Sequence, residues 1–307
     1  MLARSYQVRS WNRLVQACRL TDAIWRDDVE TVRALVISNP KLIRESATVR
    51  DSNLGPPLSY AANLGRDRII RMLYDLGAHD LEHAMDRAAL QSRVETDGRN
   101  PEAKHAILAL YVAHGLELPD TPTMALHRGR LDLLEAHLPR HPDLPRRTFS
   151  HEEIYPPEIG CHDEVLATHG SPLAGTTLLH MCVDYDEFEI AQWLIERGAD
   201  VNTPAEIDRD GFGGHTALFG AVVSQPNFWM NYGHRPQQAR FAQLLLDHGA
   251  DPNARATIRK QMHPGYGDDN LYEYRDVTPL SYGAQFSHRL FVNERAVELI
   301  LLNGGVP

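Results

Sequence analysis

The hydrophobic positions of this chain recur in a pattern that predicts paired helices. Ile69, Ile70, Met72 and Leu73 gather on one helical face, and Ile190, Ala191, Trp193 and Leu194 repeat the arrangement. A shorter apolar segment precedes each amphipathic run. It is anchored by Leu58, Leu179, Leu218 or Leu280, and small residues follow (Ala61 and Ala62, Ala221, Gly283 and Ala284) that allow close packing. The amphipathic runs stop at Gly77, Gly198, Gly249 and Gly304, where a left-handed residue closes a helix. Thr177, Thr216 and Thr278 stand where the short helices begin, and their hydroxyls are expected to satisfy orphan amides. Pro57 and Pro279 suit a first helical turn, which needs no amide proton there. At the start of the chain, Trp11, Leu14, Val15 and Cys18 predict one face of a first helix.

Four stretches superimpose: residues 55–78, residues 175–202, residues 214–223 resuming at 241–253, and residues 277–286 resuming at 295–305. Three weaker copies cover residues 21–42, 81–118 and 122–144, the last bending at His127-Arg128-Gly129. Thr177, Leu179 and His180, followed by Ala199-Asp200-Val201-Asn202 and Ala250-Asp251-Pro252-Asn253, resemble the ankyrin repeat. Its T-P-L-H-x-A and G-A-D-x-N elements stand nearly intact, with Leu178 in place of the usual proline. The resemblance implies an all-α ankyrin-repeat solenoid of about seven helix-pair units, with long inserted loops in the C-terminal half. The expected organisation is a capping helix over residues 1–20, degenerate repeats over 21–144, an inserted loop over 145–174, and C-terminal repeats with inserted loops over 175–307. The resemblance also gives His180 a structural role, bonding backbone in neighbouring turns.

A plain unit of this kind takes about 33 residues, and the last glycine spacings are much longer. Residues 143–174, 203–213 and 254–275 are insertions between units and fall at the projecting turns. They are expected side by side along one edge. Residues 224–236 interrupt a unit between its two helices. Ile154, Tyr155, Phe212, Tyr266, Leu271, Tyr272 and Tyr274 make the insertions richer in apolar and aromatic residues than a disordered tail.

Charge adds one distinction. The net charge is −10, and it is uneven: up to Thr148 there are 21 Lys plus Arg against 19 Asp plus Glu, and from Phe149 onward 10 against 22. An acidic C-terminal half argues against a phosphate-backbone ligand there and favours a cationic partner. The arginines of the first half are interleaved with acids and read as a solvated face, so no nucleic acid is expected. No apolar run reaches the roughly 18 residues of a membrane span. Three scattered cysteines, Cys18, Cys161 and Cys182, imply no disulfide framework, and Cys18 and Cys182 read as small core residues. A reducing, cytoplasmic location follows.

Ankyrin arrays characteristically bind proteins, so the sequence reads as a protein- or peptide-binding module, with a basic partner favoured and no cofactor. The candidate surface comprises Asp184, Tyr185, Phe212, His215, Tyr266, Tyr272, Tyr274, Gln285 and Phe286. Of these, Asp184, Tyr185, Gln285 and Phe286 are placed as exposed positions after the small core residues. Alanine at Tyr185 and Phe286 is accordingly expected to weaken binding without unfolding. The alternative is an enzyme or a small-molecule or metal site under the inserted loops, drawing on His162, Asp163, Asp210, His215 and His263. Those residue types suit metal-dependent hydrolysis, but no zinc-ligand spacing such as H-E-x-x-H is present, and binding is the favoured reading over catalysis. The last helix carries Val297, Ile300 and Leu301 with few charges, so a monomer or a weak dimer is expected.

Overall fold

The computed structural model describes residues 10–44, 57–78, 101–156, 171–261 and 270–307. The chain divides into two compact units, parting between Leu118 and Pro119.

In the N-terminal unit, helix α1 (Trp11–Trp25) pairs with α2 (Val29–Ser38), and α3 (Pro57–Asn63) pairs with α4 (Asp67–Asp75). Helix α5 (Pro101–Ala113) packs on α4. The first helix starts at a serine cap, Ser10, and runs past residue 20 to Trp25. Its inward face is Leu14, Ala17, Leu20 and Ile24; of the expected Trp11, Leu14, Val15 and Cys18, Leu14 alone is buried. Trp11 is 58% exposed and Cys18 is exposed. The small Ala17 lets the neighbouring helix approach, and that turns the larger side chains outward. Arg66, at the bend between α3 and α4, donates from Nε to the Ile24 carbonyl at 3.2 Å and so joins the two pairs.

Among its described residues the C-terminal unit stacks four helix pairs. They are α6 (Pro122–His127) with α7 (Leu131–His137), α9 (Leu178–Asp184) with α10 (Phe188–Glu196), α11 (Ala217–Val222) with α13 (Arg240–Asp247), and α14 (Pro279–Gln285) with α15 (Glu294–Leu302). Between the first two pairs lies a short helix, α8 (His151–Ile154), closed by reciprocal Ser150 and Glu153 caps. Leu179, Leu218 and Leu280 are buried as the apolar pattern requires. At Gly283 an added Cβ would meet Val222 Cγ1 at 2.5 Å. The small residue therefore serves the approach of the preceding pair's first helix as well as its own partner. Thr278 caps α14, accepting from the Ser281 amide at 3.2 Å. Thr177 Oγ1 instead bonds His180 Nδ1 at 2.9 Å, and Thr216 makes no side-chain cap.

The helix-ending glycines lead into turns that interlock. Asn202 Nδ2 donates to the Gly249 carbonyl at 2.9 Å, and the Asp251 amide donates to Asn202 Oδ1 at 2.7 Å. One unit later Asn253 repeats both bonds, to the Gly304 carbonyl at 3.1 Å and from the Val306 amide at 2.8 Å. Each asparagine is thus a two-point staple between successive turns. Asn202→Ala is expected to lower stability by about 1–2 kcal/mol, since each net bond contributes roughly 0.5–1.5 kcal/mol. A urea midpoint equal to that of the native chain would refute the staple.

The all-α expectation is corrected in the insertions. Residues 256–261 and 271–277 form an antiparallel pair, β3 (Ala256–Gln261) and β4 (Leu271–Val277), with Ile258 opposite Tyr274 and Lys260 opposite Tyr272. A second small pair joins β1 (Thr148–Phe149) to β2 (Thr176–Thr177). Alternation of Ala256, Ile258 and Lys260 toward the interior with Thr257, Arg259 and Gln261 outward is the two-residue period of a strand. The interrupting residues 224–236 contain another helix, α12 (Gln225–Tyr232).

Candidate functional site

The insertions meet one another above the first helices. Gly213 pairs with Thr257 of β3, which continues the two-stranded ladder into the 203–213 loop. A side chain at Gly213 (φ 133°) would strike the Glu206 carbonyl oxygen at 2.0 Å, so only glycine permits this crossing. The Glu206 amide donates to the Gly175 carbonyl at 2.8 Å, and Thr148 Oγ1 bonds the Glu206 carboxylate. Asp208 Oδ1 folds the loop tip by accepting from the amides of Asp210 (2.8 Å) and Phe212 (2.9 Å).

Phe212 holds the loop to the hairpin. The Arg259 guanidinium lies 3.8 Å above its ring and Arg275 lies 5.1 Å away, a cation–π contact on a side chain 6% exposed. Arg259 pairs with Asp210 at 3.4 Å and Glu273 at 3.8 Å, and Glu273 also takes Arg275 at 2.6 Å. The hairpin is held from below by aromatic packing. Tyr274 stacks on Phe286 with centroids 5.9 Å apart and meets Tyr282 edge-on at 5.0 Å.

Most of the candidate surface residues lie in the interior. Tyr185 is 2% exposed, bonds the Tyr155 hydroxyl at 3.1 Å and packs edge-on against His127 at 4.6 Å. Phe286 is 2% exposed and Tyr274 4%. Asp184 and His215 are buried and line a common cavity. The expected exposure of Asp184, Tyr185 and Phe286 is therefore wrong. The insertions, absent from a plain repeat, cover the ends of the first helices. Gln285 is exposed and Tyr272 half-buried. Tyr266, His162, Asp163 and His263 lie outside the described residues, as does Cys161. Of the alternative pocket, Asp210 sits on the exposed loop paired with Arg259 and does not line the cavity that His215 lines. That cavity measures about 10 Å³. Among the described residues no three His, Cys, Asp or Glu side chains converge as a metal ion would require.

His180 takes the structural role implied for it. Its Nε2 donates to the His215 carbonyl of the next unit at 3.1 Å, while Nδ1 faces Thr177. His215 Nε2 in turn donates to the Pro172 carbonyl at 2.8 Å. Burial pushes His180 down to about 3 and His215 down to about 4, and it raises Asp184 to about 7 against the opposing pull of Lys260. A larger recess of about 180 Å³ lies among Asp120, His137, Arg140, Arg147 and Glu153. Its charges pair with one another: Asp120 with His137 at 3.3 Å and Arg140 at 3.6 Å, and Arg147 with Glu153.

The candidate surface from sequence left out the apolar side chains that do face solvent here, Ile207 (68% exposed) and Leu271 (50%), although Leu271 stood among the apolar residues of the insertions. Ile207 had a signal, a lone apolar residue in the acidic stretch Glu206-Ile207-Asp208-Arg209-Asp210. Lys260, fully buried on β3, has one only once the strand is assigned.

Stacked helix pairs with interlocked projecting turns define a helical repeat protein. Residues 174–205 match the family model described as Ankyrin repeat, and the chain as a whole resembles that family. Two solved structures match the chain over most of its length. The human ASB11 ankyrin repeat domain is 15% identical, covering 94% of this chain and 98% of that one, with a TM-score of 0.33. An ankyrin repeat domain from Acinetobacter baumannii AYE is 17% identical over the same shares, with a TM-score of 0.29. No curated protein matches the chain. Among the described residues no helix is long and apolar enough to cross a membrane.

Proposed function

We propose that the C-terminal unit binds a partner protein or peptide along the edge built by its insertions, in a reducing cytoplasm. The observation that carries this reading is the exposure of Ile207 and Leu271 on two adjoining insertions that Phe212, Arg259 and the Gly213–Thr257 pair hold in place. Apolar side chains presented on a braced surface lose little freedom on binding, which favours affinity. Among the described residues, Tyr272 and Gln285 are the members of the sequence-derived surface that remain accessible. Glu206, Asp208, Asp210 and Glu273 add exposed carboxylates to the same two insertions, of which Asp210 and Glu273 engage Arg259 and Glu206 engages Thr148. With the acidic surplus of this half, that rim suits a basic, partly apolar segment.

The test is affinity capture with the intact chain against a variant carrying Ile207→Ser, Leu271→Ser and Tyr272→Ser. All three side chains are at least partly exposed, so the variant is expected to fold with stability changed by no more than about 1 kcal/mol. A protein retained by the intact chain and lost by the folded variant supports the edge. Capture that is identical for both chains overturns it.

A further inference from the structure

Asp184 Oδ1 and His215 Nδ1 are among the buried polar atoms of the C-terminal unit that have no hydrogen-bond partner. Both residues line the cavity of about 10 Å³, together with Ser171, Pro172 and His180. An unsatisfied buried acceptor is costly, and two of them on residues that line one small hollow point to an occupant. The hollow has about the room that one water requires.

Hydrogen-bond chemistry narrows the occupant further. The Pro172 carbonyl can only accept, so His215 Nε2 at 2.8 Å carries the ring proton. The neutral ring then presents Nδ1 as a bare lone pair, and Asp184, ionised above about pH 7, presents another acceptor at Oδ1. The occupant must donate to both. An anion or a carbonyl compound has no hydrogen to give. A metal ion would find one imidazole and one carboxylate, fewer ligands than a site needs, beside the buried positive charge of Lys260 that acts on Asp184. The neighbouring groups are already committed: both His180 nitrogens as described above, and Ser171 Oγ to the Val223 carbonyl at 3.2 Å.

We infer that this cavity is a binding site for one water molecule, which donates one hydrogen to Asp184 Oδ1 and the other to His215 Nδ1. The water ties the end of α9 to the residue that leads into α11. It completes the contact between successive units where the direct bond from His180 to the His215 carbonyl stops.

A crystal structure of the full chain, at a resolution that shows ordered water, tests the site. One density peak is expected within about 2.7–3.2 Å of both atoms. An unoccupied cavity overturns the inference, as does a carboxyl group rotated to bond His215 Nδ1 directly. Nitrogen chemical shifts of His215 supply a second, independent reading. The expected tautomer carries its proton on Nε2, and a proton on Nδ1 overturns the donor argument. Asp184→Asn is expected to keep the peak, because its amide oxygen still accepts, whereas Asp184→Leu is expected to lose it. A peak that persists unchanged in folded Asp184→Leu overturns the assignment of Asp184. If that variant fails to fold, the native density and the His215 tautomer decide.

Discussion

Phe286→Ala is expected to destabilise the C-terminal unit by about 3–5 kcal/mol, the range for truncating a fully buried phenylalanine. The ring is 2% exposed and sits where three aromatic neighbours converge: Tyr274 at 5.9 Å, Tyr282 at 5.5 Å and Phe291 at 6.0 Å. Tyr274 belongs to β4, so the cavity opens under the hairpin. The loss is expected in two places, a melting temperature lower by roughly 10 °C and faster amide exchange in β3 and β4. Gln285→Ala, one residue earlier and exposed, serves as the control and should stay within about 0.5 kcal/mol of the native chain. If Phe286→Ala melts with the native protein, the aromatic cluster does not anchor the hairpin. If the variant is destabilised as expected, any loss of partner binding by Phe286→Ala reads as loss of fold, contrary to the expectation from sequence that it would weaken binding alone.

That reversal shows what the sequence could convey and where it stopped. The helix pairs were legible because their physics is local. Leu179, Leu218 and Leu280 recur at fixed distances from cap residues and from helix-ending glycines, and such signals survive without any knowledge of neighbours. The staples of Asn202 and Asn253 were half-legible. The motif locates the residue, but its partners lie 47–53 residues away in the chain. Exposure was not legible at Tyr185 or Phe286, because a plain repeat leaves those positions open and here the insertions cover them. The hairpin was missed for a related reason. Thr257-Ile258-Arg259-Lys260 and Tyr272-Glu273-Tyr274 alternate as strands do, but short alternations inside an insertion carry little weight against a helical repeat on both sides. Lys260 adds a further obstacle, since a lysine on the inward face contradicts the usual inside-outside rule. The candidate site shifted accordingly, from rings that pack the interior to the apolar side chains of Ile207 and Leu271 that the loops hold in solvent.

Acid is expected to weaken the chain earlier and more steeply than its exposed carboxylates would require, and Asp184 is expected to hold back part of the loss. His180 and His215 are buried neutral, with folded values near 3 and 4 against 6.5 for the unfolded chain. The unfolded state therefore binds their two protons first, and stability falls as pH drops below about 6.5 toward 4. His137, lowered chiefly by burial, acts in the same direction. Asp184 has the opposite sign. Its folded value is near 7 against 3.8 unfolded, so its protonation on folding stabilises the protein as pH falls through 7, and its ionised form costs stability above that. At about 1.4 kcal/mol for each tenfold change in proton affinity, the two histidines together cost about 6 kcal/mol between pH 7 and pH 4, and Asp184 returns about 3 of it. These three groups together should cost the native chain about 3 kcal/mol over that interval, a large share of a typical stability of roughly 5–15 kcal/mol. Asp184→Asn removes the offset. It should be more stable than the native chain by about 2–4 kcal/mol at pH 8, where it no longer buries a carboxylate, and should lose about 6 kcal/mol on going from pH 7 to pH 4. Urea unfolding of both chains at pH 8, 7, 5.5 and 4 measures the two slopes. Parallel curves would show that Asp184 is ionised alike in folded and unfolded chains, and a native stability flat down to pH 4 would show that His180 and His215 take up their protons without leaving the fold.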